Sequence, residues 1–250
     1  MQRYFVSQQS LQHGEVTLAN DDAHHISRVM RMVEGDKIIV ADGSGDAYIC
    51  SLQSVNQDEC KAAVVEKTAD QPEMPVNVTV AHGLPKGDKF EQVVKQGTEL
   101  GAAAFWPFEA DRSISRLDQK KAAKKQDRWK KIAKEAAEQS HRNCLPYIHD
   151  LVTAAKLSEQ FHQYDQVIVA YEESSKAGEM NRFAEVLSKA KAGERILLVI
   201  GPEGGLSPQE AQMFSEAGGV LASFGPRILR TETAPLYGLA ALSYYFELSR

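Results

Sequence analysis

Residues 195–247 carry the spacing best suited to chemistry. The continuous apolar run 196–200 reads as a strand buried on both faces, and it breaks at once into Gly201-Pro202-Glu203-Gly204-Gly205. Three glycines there let backbone N–H groups approach a ligand with no Cβ in the way. Ser207, Pro208 and Glu210 then start a helix, with Ser as N-cap, Pro at the first helical position and Glu closing a capping box. Gly218-Gly219 stop that helix, and a second short strand over 220–224 runs into a second Gly-Pro loop, 225–233, and a last helix. Two such strand-to-loop transitions suggest a ligand pocket at the carboxyl edge of a parallel sheet. Glycines alone would favour two plain connections in an α/β protein.

The elements that must hold these loops alternate strand and helix. Val76, Val78 and Val80 begin a strand, His82-Gly83-Leu84-Pro85-Lys86-Gly87 turn out of it, and a helix over 88–100 buries Phe90, Val93, Val94, Gly97 and Leu100. A strand at 102–108 precedes a long helix over 118–139. On it Lys120, Lys121, Lys124, Arg128 and Lys131 share one arc, with Trp129, Ala133 and Ala136 beside it. A strand at 166–171 and a helix at 181–190 lead to the key strand. The alternation predicts a parallel sheet covered by helices on both faces.

Upstream, short strands at 4–6, 15–18, 37–41, 47–52 and 61–66, with a hairpin turn at 42–45, suggest a small β-barrel. A helix capped by Asn20-Asp21-Asp22 and running through Val33 places Ile26, Val29, Met30 and Val33 on one side. His24, Arg28 and Arg31 share the other. The expected organisation is a barrel over 1–70, a proline-bearing linker over 71–75 and an α/β domain over 76–250.

Composition narrows the class. With 250 residues, 43% hydrophobic and 25% charged, the chain is long enough for a real core and has no apolar run of membrane-spanning length. Its first residues begin no signal peptide, and three cysteines without CxxC spacing argue for a reducing cytoplasm with no disulfide frame and no metal site. The net charge of −5 hides an asymmetry: residues 112–142 hold 11 Lys/Arg against 4 Asp/Glu, a local +7. A basic segment on an acidic body suits a protein that docks on phosphate through one region.

The wording of the two loops, GPEGGLSxxE and GPRILRTETA, resembles the SPOUT class of S-adenosylmethionine-dependent RNA methyltransferases. Within it, the similarity is to the family that methylates N3 of a uridine in the 16S RNA of the small ribosomal subunit. The match covers the whole chain, and both loops agree nearly letter for letter. The resemblance implies a PUA-like RNA-binding barrel and a SPOUT domain whose C-terminal segment forms a trefoil knot. It also implies a homodimer and a cofactor gripped by backbone groups of Gly201, Pro202, Glu203, Gly204, Gly205, Gly225, Ile228, Leu229 and Arg230. Tyr171 and Glu172 would form a third wall.

Methylating an imide nitrogen requires loss of its proton. Arg230 can stabilise negative charge on a uracil carbonyl, and Glu232 can accept the proton. An Arg230–Glu232 ion pair that only shapes the loop is the other reading. Arg3, His24, Arg28 and Arg31, with Lys86, Lys89, Arg112, Lys120, Lys124, Arg128 and Arg142, are the candidate RNA contacts, through phosphate and shape. Competing readings are a SPOUT enzyme with another rRNA or tRNA target, or a non-catalytic assembly factor. A nucleotide-using enzyme fits poorly, since no Walker lysine follows the Gly loop.

Overall fold

The computed structural model describes residues 1–7, 10–12, 14–114, 116–171 and 181–249. The chain divides into two units, Met1–Glu73 with Ala137–Leu145, and Met74–Ala136 with Pro146–Arg250.

In the first unit, the described strands form one sheet in the order β1-β4-β5-β6-β3-β2, from β1 (Arg3–Phe5), β2 (Leu11–Gln12), β3 (Glu15–Ala19), β4 (Lys37–Ala41), β5 (Ala47–Val55) and β6 (Glu59–Lys67). Only the β1–β4 pair is parallel. Register shifts between Ile49 and Cys50 and between Leu52 and Ser54 bulge β5 and help bend the sheet. Its concave face packs Tyr4, Val16, Leu18, Ile38, Val40 and Leu52 against Ile26.

The helix expected through Val33 stops earlier. Four residues of α1 (Asp21–His24) pass into a π-helical turn, His25–Val29, and Arg31 adopts φ 53°. Asn20 sits at φ 55° and makes no side-chain cap. The wider turn breaks the 3.6-residue spacing, so Ile26 alone of the expected apolar side is buried, while Val29, Met30 and Val33 face solvent.

A second correction concerns Arg3 and Arg142, which are not surface residues: each is only 3% exposed. Arg142 donates from Nε and Nη2 to Glu73 Oε2 at 3.1 and 2.5 Å, and the backbone N–H groups of Asn143 and Cys144 donate to Glu73 Oε1 at 2.9 and 3.0 Å. Arg3 donates from Nη1 to the Arg142 carbonyl at 2.8 Å and to Asn143 Oδ1. One carboxylate thus organises the return of residues 137–145 into this unit, and the two arginines are spent on structure. Glu73→Ala strips these bonds from a buried guanidinium and two backbone donors, and is expected to cost about 3 kcal/mol. Amide exchange of β4 and β5 should accelerate accordingly; unchanged protection would show the cluster to be dispensable.

The second unit has the expected architecture, a parallel sheet between helical layers. The described strands are β7 (Asn77–Gly83), β8 (Ala104–Glu109), β9 (Tyr147–Ile148), β10 (Val152–Thr153), β11 (Gln166–Ala170), β12 (Arg195–Ile200) and β13 (Val220–Ala222), in the order β10-β8-β7-β12-β11-β13 with β9 also on β8. Every pairing is parallel. In β12, Ile196, Leu198 and Ile200 join the core on one face, and Leu197 and Val199 join that on the other. The first core takes side chains from α2 (Lys89–Glu99), α3 (Gln119–Gln139), α5 (Arg182–Lys189) and α7 (Thr233–Ser243), including Phe90, Trp129, Phe183 and Leu239. The second takes Leu157 of α4 (Ala154–Ser158) and Phe214 of α6 (Pro208–Glu216). Phe90 and Trp129 meet edge-on with ring centroids 4.6 Å apart, which seats α3 on α2. No helix among the described residues is long and apolar enough to cross a membrane.

Candidate functional site

The exits of β11, β12 and β13 converge, because the carboxyl ends of neighbouring parallel strands lie along one sheet edge. Between them lies a cavity of about 810 Å³. Its walls include Tyr171, all of Gly201–Gly205, Gly225, Ile228, Leu229, Arg230, Thr231 and Glu232, together with Lys89 and Arg112. Every cofactor and catalytic candidate among the described residues therefore lines one space; Glu172 lies outside the described residues.

Local sequence accounts for the walls. A Cβ on Gly201 would stand 2.8 Å from Leu206 N and 2.9 Å from Gly205 C, so the first loop folds back on itself only with glycine there. Gly205 takes φ +68°. Ser207 and Glu210 form the capping box read from the sequence, and the Glu210 carboxylate also accepts from Asp111 N at 2.9 Å, anchoring α6 beneath the loop. The Thr231 hydroxyl donates to the Gly201 carbonyl at 2.7 Å, tying the second loop to the first. Tyr171 is fixed by its N–H to the Ala222 carbonyl at 3.0 Å.

Charge is concentrated on one side of the cavity. Glu203 accepts from Lys86 N at 3.0 Å, and Lys89 Nζ stands 3.1 Å from Glu203 Oε1 and 3.4 Å from Glu232 Oε2. Burial pushes the Glu203 carboxyl up, but its own and the Lys86 backbone N–H groups and the Lys89 ammonium outweigh burial and hold it below its usual value. The Lys89 ammonium is raised, first by its hydrogen bond to Glu203. Glu232 Oε2 is buried and accepts no hydrogen bond, although Lys89 is its ion-pair partner. The contemplated Arg230–Glu232 pair is thus replaced by Lys89–Glu232, and Arg230 is exposed. Arg112 donates to the Gly204 carbonyl at 2.9 Å and so braces the first loop.

The other basic candidates are dispersed. His24, Arg28 and Arg31 are exposed on the first unit, with Arg28 donating to Gln57 at 2.9 Å. Lys86, Lys120, Lys124 and Arg128 are exposed on the second, and Arg128 also pairs with Glu91 at 2.7 Å. Sequence reasoning gave no role to His82, which is fully buried at the end of β7. Its Nδ1 lies 2.7 Å from the Gly83 carbonyl and its Nε2 2.9 Å from that of Thr231. Burial draws this imidazole below its ordinary value, against the pull of those carbonyls and of Glu203 and Glu232. Its place in the HGLPKG turn was the available signal.

Two family models match the chain: an RNA methyltransferase domain over residues 72–243 and an RNA methyltransferase PUA domain over residues 18–65. Ribosomal RNA small subunit methyltransferase E of Bacillus subtilis is 49% identical, covering 100% of this chain and 99% of its own. The protein of the same name from Synechocystis is 31% identical, covering 98% and 78%. Among solved structures, ribosomal RNA small subunit methyltransferase E from Neisseria gonorrhoeae, bound to S-adenosyl methionine, superposes with a TM-score of 0.84 at 29% identity, over 98% of each chain.

Proposed function

The chain belongs to the ribosomal RNA small subunit methyltransferase E family of RNA methyltransferases, and we propose that it methylates N3 of a uridine in 16S RNA, using S-adenosylmethionine. The observation that carries this reading is the single cavity walled by both Gly-Pro loops and holding, at Glu232, a buried carboxylate oxygen without a hydrogen bond.

The cavity fits the cofactor by chemistry as well as by size. Glycines at 201, 204 and 205 open backbone edges to an adenine, while Ile228 and Leu229 offer apolar surface for its faces. When bound, S-adenosylmethionine supplies an electrophilic methyl group. The chain's own residues do the rest. The Glu232 carboxylate takes the N3 proton, and Arg230 steadies the charge that develops on a uracil carbonyl. Tyr171 and the first loop orient the donor, and the Thr231–Gly201 bond keeps the two loops in register. Paired or stacked uracil hides N3, so the target is single-stranded or flipped out. His24, Arg28, Arg31, Lys86, Lys120, Lys124 and Arg128 grip phosphate away from it.

The same reading makes the enzyme a cytoplasmic homodimer with a knotted C-terminal segment. The end of α7 and the π-helical turn after it (Tyr244–Leu248) support the dimer: Tyr244 is 62% and Leu248 74% exposed, on the side of Tyr237 and Ala240. Leu248→Glu should convert a dimer to a monomer in light scattering at micromolar concentration; an unmodified monomer would exclude this interface.

The deciding test incubates the protein and labelled S-adenosylmethionine with small ribosomal subunits lacking the modification, then identifies the nucleosides by mass. New 3-methyluridine is the expected result. Another methylated nucleoside would move the target, and failure to bind the cofactor would overturn the enzyme.

A further inference from the structure

Two carboxylates from separate loops, Glu203 after β12 and Glu232 at the start of α7, share a single ammonium, that of Lys89 at the start of α2. The contacts are 3.1 Å to Glu203 Oε1 and 3.4 Å to Glu232 Oε2. All three groups line the one cavity. The sequence reads Lys89 as a surface lysine for RNA; the geometry turns it inward. Its ammonium already has two anionic partners, so it has little charge left to offer a phosphate.

The arrangement sets a specific electrostatic problem. Glu203 is held by backbone, since Lys86 N donates to both its oxygens at 3.0 and 3.3 Å. Glu232 has no such backbone support among the described contacts: its buried Oε2 has Lys89 Nζ at 3.4 Å. A cation between two carboxylates favours the charged form of both; without it, the pair takes up its first proton at a higher pH. Backbone bonds favour the charged form of Glu203 and give Glu232 no such help. A neutral Glu232 accepts no proton.

We propose that Lys89 is a positioning residue of the reaction, the counter-ion that holds the carboxylates of Glu203 and Glu232 together at the cavity wall. This rests on the reading that Glu232 takes the uridine proton. The other charged groups around the pair are Arg112, Arg227 and Arg230 on the cavity wall, and His82, whose buried ring feels the charge of both carboxylates. Among the described residues, Lys89 is the cation within ion-pair distance of Glu232.

The test is the pH dependence of single-turnover methyl transfer by Lys89→Met. Removing the cation takes away the charge that favours the ionised pair, so the acid limb of transfer moves to higher pH. Transfer at pH 5 should therefore fall about 3-fold, with a smaller change at pH 8 and no change in the KM for RNA. Lys89→Arg should retain the wild-type acid limb. Adding Glu203→Gln to Lys89→Met should bring the acid limb back toward wild type, because the competing carboxylate is gone. An increased KM for RNA with an unmoved acid limb would overturn the proposal and return Lys89 to the RNA surface. Carbon-13 titration of the glutamate carboxyls, without substrate, reads the same shift in protein that has never methylated anything. A titration shift without any 3-methyluridine would support the counter-ion and sink the uridine reading; no titration shift would sink the counter-ion alone.

Discussion

Glu232→Gln should lower methyl transfer by about 10²- to 10⁴-fold, the range lost with a general base, while cofactor affinity stays within about 3-fold. Glutamine keeps the length and planarity of the side chain but offers nothing that can carry the N3 proton away. The expectation rests on position. Glu232 lines the cavity beside Arg230, and one of its oxygens is buried without a hydrogen bond. Leaving such an oxygen unsatisfied costs about 1–3 kcal/mol, so its retention makes sense where a substrate N–H completes it. Glu203 cannot substitute in the same way, because the Lys86 N–H already donates to both of its oxygens. Transfer by the variant should recover as pH rises, since uracil then loses the proton unaided. The measurement is single-turnover transfer at saturating cofactor, between neutral and alkaline pH. An unchanged rate at neutral pH would make Glu232 a scaffold for the loop and leave the base to be found elsewhere.

The parts of the fold legible in the sequence are those where one local pattern met no rival. The run 196–200 is apolar at every position because β12 is covered on both faces, and the capping box at Ser207 formed as written. Helix α2 buries Phe90, Val93, Val94 and Gly97 on the face its spacing predicts. Two-residue strands such as β9 and β10 leave no period to read, and they were missed. The helix after Asn20 failed for a different reason: a π-helical turn changes the side-chain spacing that the wheel assumes. Arg3 and Arg142 were taken for surface charge because nothing local announces Glu73, which meets Arg142 from 69 residues away. In the site, the glycine spacing and the resemblance found the walls. What they could not find were the long-range pairings, Lys89 with Glu232 and His82 with Thr231, which only the folded chain brings together.

Gly201→Ala should lower methyl transfer by about 100-fold and weaken S-adenosylmethionine binding with it, and the reason is the atoms its Cβ would meet. Leu206 N at 2.8 Å and Gly205 C at 2.9 Å are backbone, so no flexible side chain can move aside. The loop itself must shift. That shift pulls on the Gly201 carbonyl and so on the 2.7 Å bond from Thr231, which couples the second loop to the first. Misplacement of a positioning group by about 1 Å is enough for a 10²-fold loss. Gly205 supplies the control. Its φ of +68° makes alanine strained, yet nothing lies within 4 Å of the added Cβ. Gly205→Ala therefore carries only the left-handed penalty, about 1–2 kcal/mol, most of it felt as stability of the whole fold. Calorimetric titration of both variants with the cofactor separates the two effects. A large loss at Gly201 and a small one at Gly205 marks the turn between Gly201 and Leu206 as the rigid floor of the site. Equal, small losses would mean that the first loop adjusts freely and that the second loop carries the cofactor.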